Sequence, residues 1–202
     1  MEHGRHYIRS KHNYMKGSYS MAHLEQKIFC EDVKNKFPEY FYKQKVLDVG
    51  SLDINGNNRY LFEDSEYIGV DIGPGPNVDV VMKAHEYDAP DASFDVVIST
   101  ECFEHDLFLV KTVKNIMRLL KPEGLFLFTC ATTGRHEHGT LAYDSASSPF
   151  TVEIMGWDNY YKNLTQEDFR KIVNLDEHFT DYKFNILSHG YISTLGFYGI
   201  KQ

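Results

Sequence analysis

The sequence predicts an α/β fold, a mostly parallel, doubly wound sheet that ends in an antiparallel strand pair. Three observations predict it. Short apolar runs recur at 46–49 (VLDV), 67–72 (YIGVDI) and 94–100 (FDVVIST), and each runs into acidic or small polar residues at its C-terminal end. Continuous apolar runs of this kind read as buried parallel strands whose tips open on a binding crevice. Segments with helical spacing fit between them, and an alternation of strand and helix implies right-handed crossovers. The last segments, YKFNILSHG and STLGFYGIKQ, read as two closing strands around a turn.

Taken in order, residues 1–20 are polar, rich in His, Tyr, Lys and Ser, and read as a flexible lead-in or a flap; no role is assigned to His3, His6 or His12. From residue 21 to 37, Leu24, Ile28, Phe29, Val33 and Phe37 recur at helical spacing until Pro38 breaks the pattern. Strands are expected at 45–50, 66–71, 78–82, 94–99 and 124–130. The clearest helix spans 107–120, where Leu107, Val110, Val113, Ile116, Met117 and Leu120 mark one face, and Lys121-Pro122-Glu123-Gly124 ends it. Residues 131–163 carry no clean period, and so long a stretch in a compact domain reads as a functional acceptor-side loop. Thr165 and Asp168 resemble a helix N-cap with its capping acid, for a helix reaching Val173.

Composition bounds the function. A chain of 202 residues suits one domain with a substantial core. Its net charge of −8 argues against a broad phosphate-binding surface. Cys30, Cys102 and Cys130 have neither an even count nor a C-x-x-C spacing, which fits a reducing cytoplasm. The N-terminus lacks the apolar core of a signal peptide, and no run approaches the roughly 18 apolar residues of a membrane span.

The chemistry is expected at the strand tips. Gly50 to Asn57 is a polar turn after the first strand, and Asp71 closes the second strand 21 residues after Gly50. That is about where an acidic side chain in a nucleotide-binding fold accepts ribose hydroxyls. The turn holds only Gly50 and Gly56 and lacks the G-x-G-x-x-G spacing, which disfavours a nicotinamide or flavin dinucleotide.

The order VLDVG, GVDI, SFDVVIST and LLKPEGLFLFT resembles the class I S-adenosylmethionine-dependent methyltransferases over roughly residues 40–202. The resemblance implies a Rossmann-like, seven-stranded sheet with S-adenosyl-L-methionine as cofactor. It also implies that Asp48 and Gly50 lie at the methionine end, that Asp71 binds the ribose, and that Ala84 and His85 hold adenine, with Ser51 and Ile72 completing the set. Two departures stand out. Ser51 to Asn55 replaces the usual second glycine, and no aspartate immediately follows the third strand.

After the fourth strand come Glu101, Glu104 and His105. If the chain turns helical there, positions i, i+3 and i+4 share a face. Two carboxylates and an imidazole suit Mg²⁺, Mn²⁺ or Zn²⁺, with His136 or His138 of the later loop as a further ligand. This E-x-x-E-H pattern resembles metal-assisted O-methyltransferases of ubiquinone biosynthesis and of small-RNA 3′ ends. The plain alternative is a helix-capping step with no metal, in which His105 is the general base beside Glu101. Exposed loop histidines without a role, and packing for Trp157, Tyr160 and Tyr161, are the corresponding plain readings. The sequence therefore points to an S-adenosylmethionine-dependent enzyme methylating oxygen on a small molecule or sugar. An RNA 3′ end is the second acceptor, disfavoured by the acidity, and a non-catalytic cofactor-binding module is the third reading.

Overall fold

A computed structural model of the chain describes residues 22–189 and 192–202. The expected lead-in or flap over 1–20, and the turn between the closing strands, fall outside the described residues.

Seven strands form one sheet in the order β3-β2-β1-β4-β5-β7-β6. Strands β1 (Lys45–Val49), β2 (Glu66–Asp71), β3 (Val80–Val81), β4 (Phe94–Thr100) and β5 (Leu120–Ala131) pair in parallel. The closing strands β6 (Phe179–His189) and β7 (Ile192–Lys201) are antiparallel, with β7 inserted between β5 and β6. The fold class expected from sequence is the one observed.

Side chains alternate across the sheet with period two, so each strand feeds two cores. Leu47, Val49, Val97, Phe126 and Phe128 face the first core, which α2 (Leu109–Leu119) and α3 (Gln166–Ile172) cover through Val113, Ile116 and Phe169. Val46, Val96, Ile98, Leu125 and Leu127 face the second, covered by Phe29, Cys30 and Val33 of α1 (Ala22–Lys36). A second short helix, α4 (Leu175–His178), leads into β6.

Helices do not fill every crossover as the alternation suggested. Only β4 and β5 are joined by an α-helix among the parallel strands; the β1–β2 and β3–β4 connections carry single 3₁₀ turns at Arg59–Leu61 and Ala84–Glu86. Local chemistry explains the difference. In the first connection the Asp53 carboxylate takes the Gly56 N–H at 2.6 Å and the Asn57 amide at 2.7 Å, and such bonds compete with helix formation. In the β2–β3 connection Pro74 and Pro76 remove donors.

Two boundaries also moved. Leu107 and Val110, expected on the apolar face of α2, are exposed, and the buried face is Leu109, Thr112, Val113, Ile116, Met117 and Leu119. Lys121 to Gly124 does not separate α2 from β5 but forms an irregularity within the strand, where pairing jumps from Phe94–Leu120 to Val96–Leu125.

Candidate active site

The strand order reverses beside β1, and a crevice opens at the C-terminal tips of β1 and β4, where such sheets bind ligands. There a cavity of about 210 Å³ gathers residues from β1, β2, β4 and the loops that follow them. A second cavity, about 10 Å³ and lined by Val113, Phe128, Phe169 and similar side chains, is a packing gap in the core.

All seven residues expected to bind the cofactor line the large cavity: Asp48, Gly50, Ser51, Asp71, Ile72, Ala84 and His85. Gly50 takes a φ of +75°, and a Cβ there would collide with the Cys102 side chain, so only glycine lets the β1 tip pass this close to β4. Its N–H and that of Ser51 both donate to Val70 O, at 2.9 and 3.2 Å, which pins the turn to the end of β2. Asp71 accepts from the N–H groups of Leu52 at 3.1 Å and Gly73 at 3.3 Å, and burial raises its carboxyl above the usual range. His85 packs against Phe108 with ring centres 4.5 Å apart, and the Ala84 carbonyl accepts from the Asn115 amide at 2.9 Å.

This wall fits the cofactor that the sequence suggested. Among the described residues, Asp48 Oδ1 and Ser51 Oγ are buried without hydrogen-bond partners, so this wall offers an acceptor and a hydroxyl for a ligand to satisfy.

The acidic-histidine cluster is arranged differently from its expectation. The segment after β4 forms a 3₁₀ turn, Phe103–His105, and Glu101 lies outside it with a φ of +50°, so Glu101, Glu104 and His105 do not share a helix face. Glu101 instead meets Arg135 Nη1 at 2.9 Å, and Arg135 also donates to Thr194 Oγ1 at 3.1 Å. The group that converges is Glu104, His105 and His138, whose candidate ligand atoms all lie within 4.8 Å of one another. His138 is thus the inward-facing member of the loop pair. His136 lies outside the group and uses its backbone carbonyl, 3.0 Å from His138 Nδ1, to orient the His138 ring.

Burial governs the charge of this cluster. Glu104 is fully buried; Oε1 accepts from Ala131 N–H at 3.1 Å, Oε2 has no partner, and desolvation, reinforced by Glu101, pushes the carboxyl up to about 8. His105 Nδ1 is also without a partner, and desolvation, with His138 and Arg135 adding to it, lowers this imidazole to about 3. Burial thus biases each member of the cluster toward its neutral form.

Several wall residues carried no clear sequence signal. Gln26 of α1, Asn58, Thr100 and Phe150 all line the cavity, and Asn58 Nδ2 donates to Thr100 Oγ1 at 2.9 Å. Arg135 sits as an isolated cation within TTGRHEHGT, a signal that could have been weighed against Glu101. Trp157 is part of the site as well as of the packing: it is buried, lines the cavity, donates Nε1–H to the His105 carbonyl and sets its ring edge-on to Phe108. The Tyr161 ring lies 5.6 Å from His105 and 5.0 Å from His138.

Comparison with known proteins agrees with this architecture. Residues 47–128 match the family model of the methyltransferase domain. No curated protein matches the chain in sequence. Among solved structures, the 1,6-didemethyltoxoflavin-N1-methyltransferase of Burkholderia thailandensis, solved with S-adenosylhomocysteine, superposes with a TM-score of 0.62 at 15% identity, covering 92% of this chain and 80% of that one. The PH0226 protein of Pyrococcus horikoshii OT3 gives 0.58 at 20% identity, covering 91% and 93%. Phosphoethanolamine N-methyltransferase 2 of Haemonchus contortus, solved with S-adenosyl-L-methionine, gives 0.59 at 20% identity; the match covers 87% of this chain but 52% of that one, so this chain spans about half its length. At these identities the likeness shows a shared fold. The family match spans residues 47–128, less than half of the chain, so that stretch resembles a methyltransferase domain, and the chain as a whole shares the fold of solved S-adenosylmethionine-dependent methyltransferases.

Proposed function

We propose that the enzyme methylates an oxygen of a small hydroxylated acceptor and that Glu104, His105 and His138 hold a divalent cation beside the reacting atoms. One observation carries this reading: two buried polar atoms without partners, Glu104 Oε2 and His105 Nδ1, belong to the same converging trio as His138. Leaving both unsatisfied is costly, and a cation would satisfy them together. One carboxylate with two imidazoles suits Zn²⁺ or Mn²⁺ better than Mg²⁺. A bound cation supplies a lowered hydroxyl pKa and a fixed acceptor position.

The chain's own residues supply the rest. Asp48, Ser51 and Asp71 hold the cofactor, while His105 and His138 stay neutral at pH 7 and keep lone pairs for ligation. The Glu101–Arg135 pair borders the acceptor end of the cavity as a neutral unit, which favours an uncharged acceptor over RNA. Three free cysteines fit a reducing cytoplasm. Among the described residues no helix is long and apolar enough to cross a membrane.

A second reading rests on the unpartnered Nδ1 of a neutral His105, which could take the acceptor proton without a metal. Calorimetric titration of Mn²⁺ and Zn²⁺ into dialysed protein separates the two. The metal reading expects one site in wild type that is lost in Glu104→Gln, with methyl transfer to sugars or catechols falling in parallel. Absence of metal heat in folded wild type sinks it and leaves His105 as the base, and transfer to short RNA in place of small hydroxyl compounds would redirect the acceptor.

A further inference from the structure

Arg135 enters the cavity from the loop after β5 and is anchored along its length. Its N–H donates to the Thr132 carbonyl at 3.0 Å, its carbonyl accepts from Asn163 Nδ2 at 2.8 Å, and its Nη1 donates to Thr194 Oγ1 at 3.1 Å. The same Nη1 lies 2.9 Å from Glu101 Oε2, and the two side chains are only 12% and 17% exposed, so water screens the pair little. Neither Glu101 oxygen has an aligned hydrogen bond among the described residues. Charge, more than a directed bond, therefore holds this carboxylate where it is.

The Glu101 backbone is fixed as well. Its N–H donates to the Thr129 carbonyl at 2.9 Å, and its φ of +50° is a conformation that a residue with a Cβ keeps only when its surroundings impose it. From there Glu101 and Arg135 line the cavity together with His105 and His138. The field of Glu101 reaches Glu104 and His138, and that of Arg135 opposes it at both. Glu101 is nevertheless not a member of the group whose candidate ligand atoms lie within 4.8 Å of one another.

That exclusion has a chemical consequence. A metal centre with three protein ligands keeps a position open for a substrate oxygen, and a fourth protein ligand closes it. A second carboxylate also hardens the donor set, moving its preference from Zn²⁺ toward Mn²⁺.

We propose that Arg135 is a positioning residue that withholds Glu101 from the Glu104, His105 and His138 trio, so that the trio offers one carboxylate and two imidazoles and keeps a coordination position open for the acceptor oxygen. The proposal rests on the metal reading of that trio.

The test is calorimetric titration of Zn²⁺ and of Mn²⁺, each alone, into dialysed wild type, Arg135→Ala, Glu101→Gln and the double variant. The preference for Zn²⁺ over Mn²⁺ should fall by roughly ten- to a hundredfold in Arg135→Ala, the range in which groups beside the ligands act. It should return to the wild-type value in the double variant, where Glu101 can no longer ligate. Glu101→Gln alone should leave the preference unchanged, and Arg135→Lys, which keeps the charge, should retain it. A second readout is the visible spectrum of the Co²⁺-loaded protein. Added azide should change it in wild type by taking the open position, have no effect in Arg135→Ala, and change it again in the double variant, a pattern that loosened packing does not produce. An unaltered preference in folded Arg135→Ala overturns the proposal, and so does a shift that persists in the double variant. A preference altered by Glu101→Gln alone means that Glu101 is already a ligand and overturns it without any Arg135 variant. Absence of metal binding in folded wild type overturns the metal reading itself.

Discussion

Glu101 and Glu104 are three positions apart and have opposite surroundings. Glu101 faces a guanidinium, whereas Glu104 is sealed in the core edge with one oxygen unpaired. Sequence spacing could place both beside β4 but could not reveal that Glu101 adopts a positive φ, because that depends on how the chain leaves the strand. The cavity wall was more legible, since acids at the ends of buried parallel strands border the crevice at the strand tips, and Asp48 and Asp71 both line it. Asp48 makes this testable in stability. Its carboxyl lies at about 7 in the fold against 3.8 for the free group. Between those values the native state keeps a proton that the unfolded chain has released, so stability falls as pH rises through the window and is level outside it. The fall is on the order of 4 kcal/mol for a shift of roughly three units. Urea unfolding of ligand-free wild type and Asp48→Asn from pH 4 to 8 should show the difference between them changing in this direction; parallel curves would contradict it.

The elements divide by how local their causes are. The α3 start was readable because its cap is local: Thr165 and Asp168 form a reciprocal capping box, with Thr165 N–H to Asp168 Oδ2 at 2.9 Å. The buried face of α2 was less so, because a run at spacing three drifts off a helix of 3.6 residues per turn, carrying Val110 into solvent, while Leu107 lies ahead of the helix start. Ile116 is 2% exposed and Val110 is 51% exposed. Ile116→Ala should therefore cost about 2–5 kcal/mol in urea unfolding, and Val110→Ala less than about 0.5 kcal/mol. Equal costs would mean that α2 presents a different face to the sheet. The loop over 131–163 was recognised by its lack of period, but its path was not, since turns such as Ser145–Ser147 and Thr151–Glu153 are held by short-range bonds, Ser147 Oγ–H to Asp144 Oδ2 and Ser148 Oγ with Thr151 Oγ1, that leave no hydrophobic period.

At the scale of the molecule, strand order and cavity go together. The five parallel strands reverse their order once, beside β1, with the closing hairpin added beyond β5 and its β7 placed between β5 and β6, and the cavity lies at the open end of that reversal. The loop after β5 crosses from the histidine cluster to the tip of β2, where the Phe150 ring occupies the space a Cβ on Gly73 would fill. One segment thereby lines the cavity both beside the histidine cluster and beside β2. Sequence could name the tips that meet but not this contact, because it joins residues far apart in the chain. The central claim is that the cavity takes S-adenosylmethionine rather than a dinucleotide. Melting temperature measured against increasing S-adenosylhomocysteine and, separately, NAD tests it most directly. The account predicts a rise that grows with the logarithm of S-adenosylhomocysteine concentration and no rise with NAD; a rise with NAD alone, or with neither, would contradict it.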